Sequence, residues 1–441
     1  MEVAKRIDES TRTCGRESSS PKSSSTCAEL TVAVLTAGRD KPYALGLAEA
    51  LLAERIHLDF IGSDDVSSPQ LMNHPRVRFL NLRGDQRSEV TFSKKALRVL
   101  SYYLRLVHYA TTARPKVFHV LWNNKFEFFD RTVLMAFYRL LGKRIVFTAH
   151  NVNAAKRDKH DSRWNQVTLR VQYRLAHHIF VHTERMRTEL LEDFGASRQK
   201  VTVIPFGINE TVPNTEISNG EARQKLKISE SDKTLLFFGN IAPYKGLEYL
   251  LEAFSELSKT RSDYRLVIAG RPKSSEEYWS RIQETIRTSP AANRILFKPE
   301  FIPDEETEVY FKAADVSILP YTDIFQSGVL VLSYSFGLPV VAADVGSLRD
   351  EIVEEQTGFV FKPKDPTDLA RRIRQYFESE MYRNLAGTRL TIRRYAQERY
   401  SWRKASGLIT EVYHELAGPT QAHGMLTGAP LGTISEETEH D

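Results

Sequence analysis

From Leu30 onward, short apolar runs rich in β-branched and aromatic residues alternate with longer stretches of helical periodicity. Strands are predicted at Thr31–Thr36, His57–Ile61, Val77–Leu82, Val117–Leu121, Ile145–Thr148, Ile179–His182 and Val201–Ile204. Helical stretches fall between most of them, as at Tyr43–Ala53, Asp130–Leu141, Arg163–Leu175 and Glu184–Asp193. The pattern breaks at Pro205-Phe206-Gly207-Ile208-Asn209 and resumes at Leu235–Phe238. Further strands are predicted at Arg265–Ala269, Ile295–Lys298, Val316–Leu319, Val340–Ala343 and Phe359–Phe361. Helices are predicted at Gly246–Leu257, Glu276–Thr288, Glu305–Ala313, Val329–Phe336, Leu348–Val353, Pro366–Tyr376, Met381–Arg399 and Trp402–Leu416. Continuous apolar strands alternating with helices argue for parallel sheets covered on both faces. The fold class is therefore α/β, with two parallel-sheet domains facing a central cleft.

Length agrees: 441 residues exceed one ordinary domain and suit two. Residues 1–28 are polar and Ser/Thr-rich with no apolar centre, so a disordered leader and no signal peptide are expected. Residues 29–207 read as the first domain, 208–233 as a linker, and 234–400 as the second domain. A closing helix at 401–417 is expected to pack back on the first domain, followed by a disordered tail at 418–441. Cys14 and Cys27, the two cysteines, both lie in the leader, which argues against a disulfide framework and for a reducing, cytoplasmic setting. No stretch has the apolar length of a transmembrane helix.

Charge divides the chain. Residues 31–205 carry 28 Lys+Arg against 16 Asp+Glu, a balance of +12, and residues 206–441 carry 28 against 35, a balance of −7. A basic first half points to an anionic partner there. Segment 92–112 reads as a basic amphipathic helix: Lys94, Lys95, Arg98 and Arg105 would meet anionic headgroups while Leu97, Tyr103 and Leu104 insert. The competing reading is that its apolar face packs on the sheet. The basic stretches lack interleaved stacking aromatics, which argues against nucleic acid.

In open parallel sheets, ligands bind beyond the carboxyl ends of the strands. In the second half those ends carry Gly239-Asn240-Ile241-Ala242-Pro243-Tyr244-Lys245, Gly270-Arg271, Pro299-Glu300-Phe301 and Pro320-Tyr321. Lys245 stands where a helix begins, and Gln326-Ser327-Gly328 precedes another. Helix-start N–H groups and a lysine facing each other would hold a diphosphate from two sides. In the first half the ends carry Gly38-Arg39, Trp122-Asn123 and His150-Asn151. His119 precedes its strand end and reads as a core histidine; His150 lies past its strand end and reads as an active-site residue. His177, His178 and His182 read as structural.

The runs Gly239–Leu251, Leu266–Gly270, Phe297–Glu305, Ala313–Val316 and Phe336–Ala342, with Gly346, Glu351–Val353 and Gly358–Val360, resemble the donor domain of family-4 glycosyltransferases of the GT-B fold, bacterial type. The resemblance implies two Rossmann-like domains and transfer of a sugar from a nucleotide diphosphate-sugar, with retention, to a glycan or lipid-linked acceptor. It implies surface polysaccharide or glycolipid biosynthesis, on or near the inner face of the cytoplasmic membrane. By the same resemblance, Lys245 and the turn Gln326, Ser327 and Gly328 bind the donor diphosphate; Asn240 and Arg271, at neighbouring strand ends, are added as candidates for the same group. Pro299, Glu300 and Phe301 cradle the base and ribose. From their places at strand ends, Gly38, Arg39, Trp122, Asn123 and Asn151 are expected to line the acceptor and sugar side, and Lys245 and His150 are the catalytic candidates. No metal and no cofactor beyond the nucleotide-sugar co-substrate are expected.

Three departures stand out. Asn240 replaces the arginine common in this family, and Ile324 and Leu332 occupy the positions of its two glutamates. Gln326 and Asp323 are near enough in sequence to substitute for the acids, and Arg271 for the cation. The alternatives are a catalytically inactive sugar-nucleotide-binding or scaffold protein of the same fold, and a sugar-nucleotide epimerase.

Overall fold

The structure, a computed structural model, describes residues 30–85, 92–157, 161–208 and 212–418. Thirteen strands form two sheets among these residues. The first sheet contains β1 (Thr31–Leu35), β2 (His57–Gly62), β3 (Val77–Asn81), β4 (Val117–Val120), β5 (Arg144–Thr148), β6 (His178–Val181) and β7 (Val201–Val203). Its spatial order is β3-β2-β1-β4-β5-β6-β7. The second contains β8 (Lys233–Phe238), β9 (Tyr264–Ala269), β10 (Ile295–Lys298), β11 (Val316–Leu319), β12 (Val340–Ala343) and β13 (Gly358–Phe361), in the order β10-β9-β8-β11-β12-β13.

Every strand pairing is parallel. The central strands are buried on both faces, as in β4 and β12, whose residues are all buried. That explains their continuous apolar runs. Strand order reverses between β1 and β4 in one sheet and between β8 and β11 in the other. Crevices at such switch points are where ligands bind in open parallel sheets. Here they fall at the loops that follow Leu35 and Val120 in the first lobe, and Phe238 and Leu319 in the second.

Three expectations need correction. The segment read as a linker belongs for the most part to the second lobe. Ser218 and Glu221 form a reciprocal capping box at the start of the helix Asn219–Lys225. Val212, Ala222 and Ile228 are buried with Leu236, Val267 and Phe311. Arg223 reaches Asp315 through two bonds of 2.7 and 2.8 Å and three backbone carbonyls besides. A polar, Pro- and Gly-bearing stretch looks like a link until a buried ion pair gives its charges partners. The single helix expected over Met381–Arg399 is two, Glu380–Arg383 and Leu385–Arg399. The break falls at Asn384, whose side chain caps the second through Gly387 N–H.

The third concerns the helix Phe92–Thr112. Tyr103 does not face outward. It is buried in the first lobe's core, and its hydroxyl donates to Asp130 Oδ1 at 2.9 Å. The outward apolar residues are Leu97, Leu100 and Leu104, all more than half exposed.

The helix Trp402–Ala417 lies against the helix Lys41–Ala53 of the first lobe. Trp402 packs over Gly46 and Gly207, where a Cβ would stand within 2.6 and 1.9 Å of its ring, and donates from Nε1 to Ile208 O at 2.8 Å. Tyr413 reaches the core to bond His119 Nδ1, while His119 Nε2 meets Thr148 Oγ1 at 2.7 Å. Burial pushes the His119 pKa down to about 3, so it stays neutral and structural.

Candidate functional site

In the second lobe, β8 ends at Phe238 and the chain turns through Gly239 and the short 3-10 helix Pro243–Lys245 into the helix Leu247–Thr260. Gly246 makes that turn with φ of +66°, and a Cβ on it would lie 1.9 Å from Pro320 O. No other residue fits both the left-handed backbone and the contact. The same loop is pinned by Thr322 N–H donating to Tyr244 O at 2.9 Å. Ile241 N–H donates to Arg271 O at 2.9 Å, and Lys273 N–H to Ile241 O at 2.8 Å. The loops after β8, β9 and β11 are thus tied backbone to backbone.

Lys245 is buried, and its ammonium lies 3.9 Å from the centroid of the Tyr321 ring. Tyr321 also carries the other half of the site: Ser327 Oγ bonds its hydroxyl at 3.3 Å. Ser327 caps the helix Gly328–Ser335 by accepting from Leu330 N–H at 3.3 Å. Lys245 and the Gln326–Gly328 turn therefore meet on one aromatic ring.

Burial is the main cause that pushes the Lys245 pKa down to about 8; the Tyr244 phenol opposes it and the Arg157 guanidinium adds to it. Among the described residues no carboxylate pairs with this ammonium. A buried cation is costly without a partner. An aromatic face compensates in part. Gln326 Oε1 is likewise buried without a hydrogen bond among the described groups.

The other second-lobe candidates lie around this centre. Asn240 is half-buried. Arg271 is turned to Phe301, with 5.7 Å from guanidinium to ring centroid. Phe301 is 64% exposed, and Glu300 pairs with Lys298 at 3.3 Å. Pro299 is exposed. Ile324 and Leu332 are buried in the lobe's cores, so neither position presents a polar group. Gly346 backs Ile324 closely: a Cβ there would stand 1.7 Å from Ile324 O.

In the first lobe, Trp122 and His150 stack face to face at 4.4 Å with 3° between the rings. Tyr43 meets His150 edge-on at 4.5 Å. His182, read from sequence as structural, proves to position His150. Its Nδ1 lies 3.4 Å from Ile204 O, and its Nε2 lies 3.3 Å from His150 Nδ1. A carbonyl only accepts, so His182 carries its proton on Nδ1. Burial holds its pKa near 4, so Nε2 is a bare acceptor. His150 must then donate from Nδ1. Burial first, then His182 and His119, push its pKa well below the usual range, which leaves Nε2 as a free lone pair. That atom is buried with no partner among the described groups. The relay ends in a hydrogen-bond acceptor suited to a hydroxyl.

Asn123 is engaged by Gln172 in a paired amide contact, 3.3 and 2.9 Å. Arg39, exposed, reaches Asn124 O at 3.4 Å, and Gly38 N–H donates to Thr36 Oγ1 at 3.1 Å. Asn151 is half-buried beside His150.

Phe206 joins the two halves. Its ring lies 5.0 Å from His182 and 5.5 Å from Tyr43, and a Cβ on Gly328 would stand 4.0 Å from its Cε1. The histidine cluster and the Ser327–Gly328 helix start thus flank one aromatic residue. Other contacts cross between the lobes: Arg185 Nη1 donates to Gly346 O at 3.2 Å, and Phe325 packs against the first lobe's core.

Residues 42–212 match the family described as Glycosyltransferase Family 4, and residues 218–399 match Glycosyl transferases group 1. The chain belongs to the family-4 glycosyltransferases. As in other members of that family, its two Rossmann-like lobes form a GT-B fold. It is similar, at 27% identity over 62% of its length, to a D-inositol 3-phosphate glycosyltransferase of Corynebacterium diphtheriae. That alignment spans 65% of the relative, a little under two thirds. Among solved structures, sucrose-phosphate synthase of Thermosynechococcus elongatus superposes with a TM-score of 0.70 at 18% identity, over 88% of this chain and 99% of that one. Alr3699/HepE of Anabaena, solved with UDP-glucose, superposes with a TM-score of 0.66 at 17% identity, over 87% and 98%.

Proposed function

We propose that this family-4 chain transfers a sugar from a nucleotide diphosphate-sugar to a glycan or lipid-linked acceptor, with retention at the anomeric carbon. The observation that carries the reading is Lys245: a buried ammonium with no carboxylate partner among the described residues, sharing Tyr321 with the Ser327 helix start. Departure of a nucleoside diphosphate builds negative charge on the β-phosphate. Lys245 and the N–H groups opening the helix Gly328–Ser335 meet that charge without reorganising. The leaving phosphate takes the acceptor's proton, so no protein nucleophile is required. His150 Nε2 accepts a hydrogen bond from a sugar or acceptor hydroxyl. The chemistry calls for no metal, since Lys245 and the helix start supply the positive charge. The UDP-glucose held by the Anabaena neighbour and the activity named for the corynebacterial relative support this donor class and a hydroxylated acceptor.

The proposed place is surface polysaccharide or glycolipid synthesis, and the helix Phe92–Thr112 supports it. Lys94, Lys95, Arg98 and Arg105 share it with exposed Leu97, Leu100 and Leu104, a pattern that suits an anionic bilayer surface. No described helix is long and apolar enough to cross a membrane. The proposed setting is the cytoplasmic side of the membrane, with the chain bound peripherally. The second reading, a sugar-nucleotide-binding scaffold without turnover, is favoured by the buried aliphatic residues Ile324 and Leu332.

Incubation with a panel of UDP-, GDP- and ADP-sugars, with and without membrane lipid extract, separates the readings by assay of free nucleoside diphosphate. Release that vanishes in Lys245→Ala is the expected result. Tight binding without release in any combination selects the scaffold. Interconversion of the sugar while still on its nucleotide would select an epimerase.

A further inference from the structure

The second lobe presents one cation, Lys245, at the turn where its family commonly has two, because Asn240 is uncharged and Arg271 is drawn to Phe301. A second positive charge arrives from the other lobe. Arg157 closes the short helix Ala154–Arg157, in the segment that follows the carboxyl end of β5. Its guanidinium stands 4.6 Å from the centroid of the Tyr244 ring. Lys245 Nζ stands 5.5 Å from the centroid of the same ring. The two cations, one from each lobe, therefore meet around a single side chain.

Arg157 and the Tyr244 ring border a cavity of about 660 Å³, lined also by Lys156 from the first lobe and by Lys273, Thr322 and Lys364 from the second, with Lys245 behind Tyr244 and outside the lining. Two acids also line it. Glu248 accepts from Tyr278 at 2.6 Å, and Asp323 lies near enough to Glu189 for its like charge to help push the Glu189 carboxyl up. Lys156 is turned toward Asp193 at 3.3 Å. Burial is what chiefly lowers the Lys245 pKa, and Arg157 stands close enough to add to it, against the opposing Tyr244 phenol. Like charges brought together across a cleft are relieved when an anion enters between them.

We propose that Arg157 supplies the second positive charge for the donor diphosphate across the cleft, in the role left empty by Asn240. This rests on the donor reading above. The anion site is then complete only when both lobes contribute. The β-phosphate, and not the nucleoside, is what draws them together. A nucleoside monophosphate lacks the group that both cations reach.

The test is isothermal calorimetry on the full chain with UDP, GDP and ADP and with the matching monophosphates. For whichever diphosphate binds the unaltered protein, Arg157→Ala should weaken it roughly 10- to 100-fold, the loss of one charge-assisted contact. The monophosphate should change less than about threefold. Asn240→Arg added to Arg157→Ala should restore most of the lost diphosphate affinity, and Arg157→Lys should retain part of it. If Arg157→Ala weakens the monophosphate as much as the diphosphate, or if Asn240→Arg restores nothing, the proposal is overturned. If Lys245→Ala loses the diphosphate while Arg157→Ala keeps it, Arg157 has no such role and the donor reading stands. If no diphosphate binds the unaltered protein, both fall.

Discussion

The two lobes share a topology and build their switch points from different materials. In the second lobe the crevice is made of backbone. Its loops are tied to one another by N–H···O=C bonds, glycines stand where any Cβ would strike a carbonyl, and one buried lysine lies on a tyrosine ring. In the first lobe the crevice is made of side chains: Trp122, Tyr43, His150, His182 and Phe206 form one connected cluster, with a histidine relay ending in a nitrogen that has no partner among the described groups. Backbone amides and an ammonium recognise charge, which every nucleoside diphosphate carries alike. Stacked rings and a single lone pair recognise shape and hydroxyl placement, which differ from sugar to sugar. On the proposed reading, the lobe built of backbone would hold the leaving group, and the other would face the variable partner with groups that substitution can retune.

The sharpest way to break this comparison is Lys245→Ala. Turnover should fall by roughly two to three orders of magnitude, the effect of removing one preorganised charge. Steady-state release of nucleoside diphosphate checks it. A fall of less than tenfold would place the essential charge elsewhere.

The same lysine sets a pH dependence. Its pKa is lowered from 10.5 to about 8 in the free protein, so the ammonium is present below that pH and lost as pH rises through it. Diphosphate affinity should therefore decline above about pH 8, and the decline should be absent in Lys245→Ala. Calorimetric titration from pH 6 to 10 tests both. Bound diphosphate should raise the lysine's pKa again.

Gly246→Ala tests whether rigidity of the backbone matters. It forces a Cβ onto Pro320 O at a left-handed position. Folding stability should drop by about 2 kcal/mol, with diphosphate binding falling alongside. Thermal melts with and without nucleotide read both effects. Equal affinity in a protein of unchanged melting temperature would show that the loop has slack.

In the first lobe smaller and more selective effects are expected. His182→Phe keeps the aromatic volume but leaves His150 Nδ1 without its acceptor. The rate should fall about 3- to 30-fold, the scale of one hydrogen bond within a small network. The loss should depend on the sugar offered. A uniform loss across all donors would argue that His150 contributes packing alone. The smallest change in turnover on a soluble acceptor should come from Lys94→Glu with Lys95→Glu, whose main readout is cosedimentation with vesicles containing anionic lipid. Undiminished cosedimentation would remove that helix from the account.

How much of this was legible depends on whether the signal was local. The parallel-sheet class followed from apolar runs at strand length, and the GT-B family from the ordered motifs between Gly239 and Val360. Lys245 and the Gln326–Gly328 turn were visible because each sits at the end of a strand pattern. Their meeting on Tyr321 was not, since nothing in Pro320-Tyr321 distinguishes a ring that supports an ammonium from one that fills a core. His182 looked structural because a histidine inside an apolar strand usually is. Its relation to His150 depends on adjacent strands 32 residues apart in the chain. The helix Asn219–Lys225 was missed because the partner that allows Arg223 to be buried, Asp315, lies 92 residues away.

Sequence by itself determined the periodicities, the breaks and the inventory of groups at strand ends, because each of these depends on a few neighbouring residues. Only the tertiary structure decided which groups face one another: Lys245 with Tyr321, Arg157 with Tyr244, His150 with His182 and Trp122. Contact, burial and the resulting shifts in protonation fall off within a few ångströms in space. They follow the path of the folded chain and not the order of its residues.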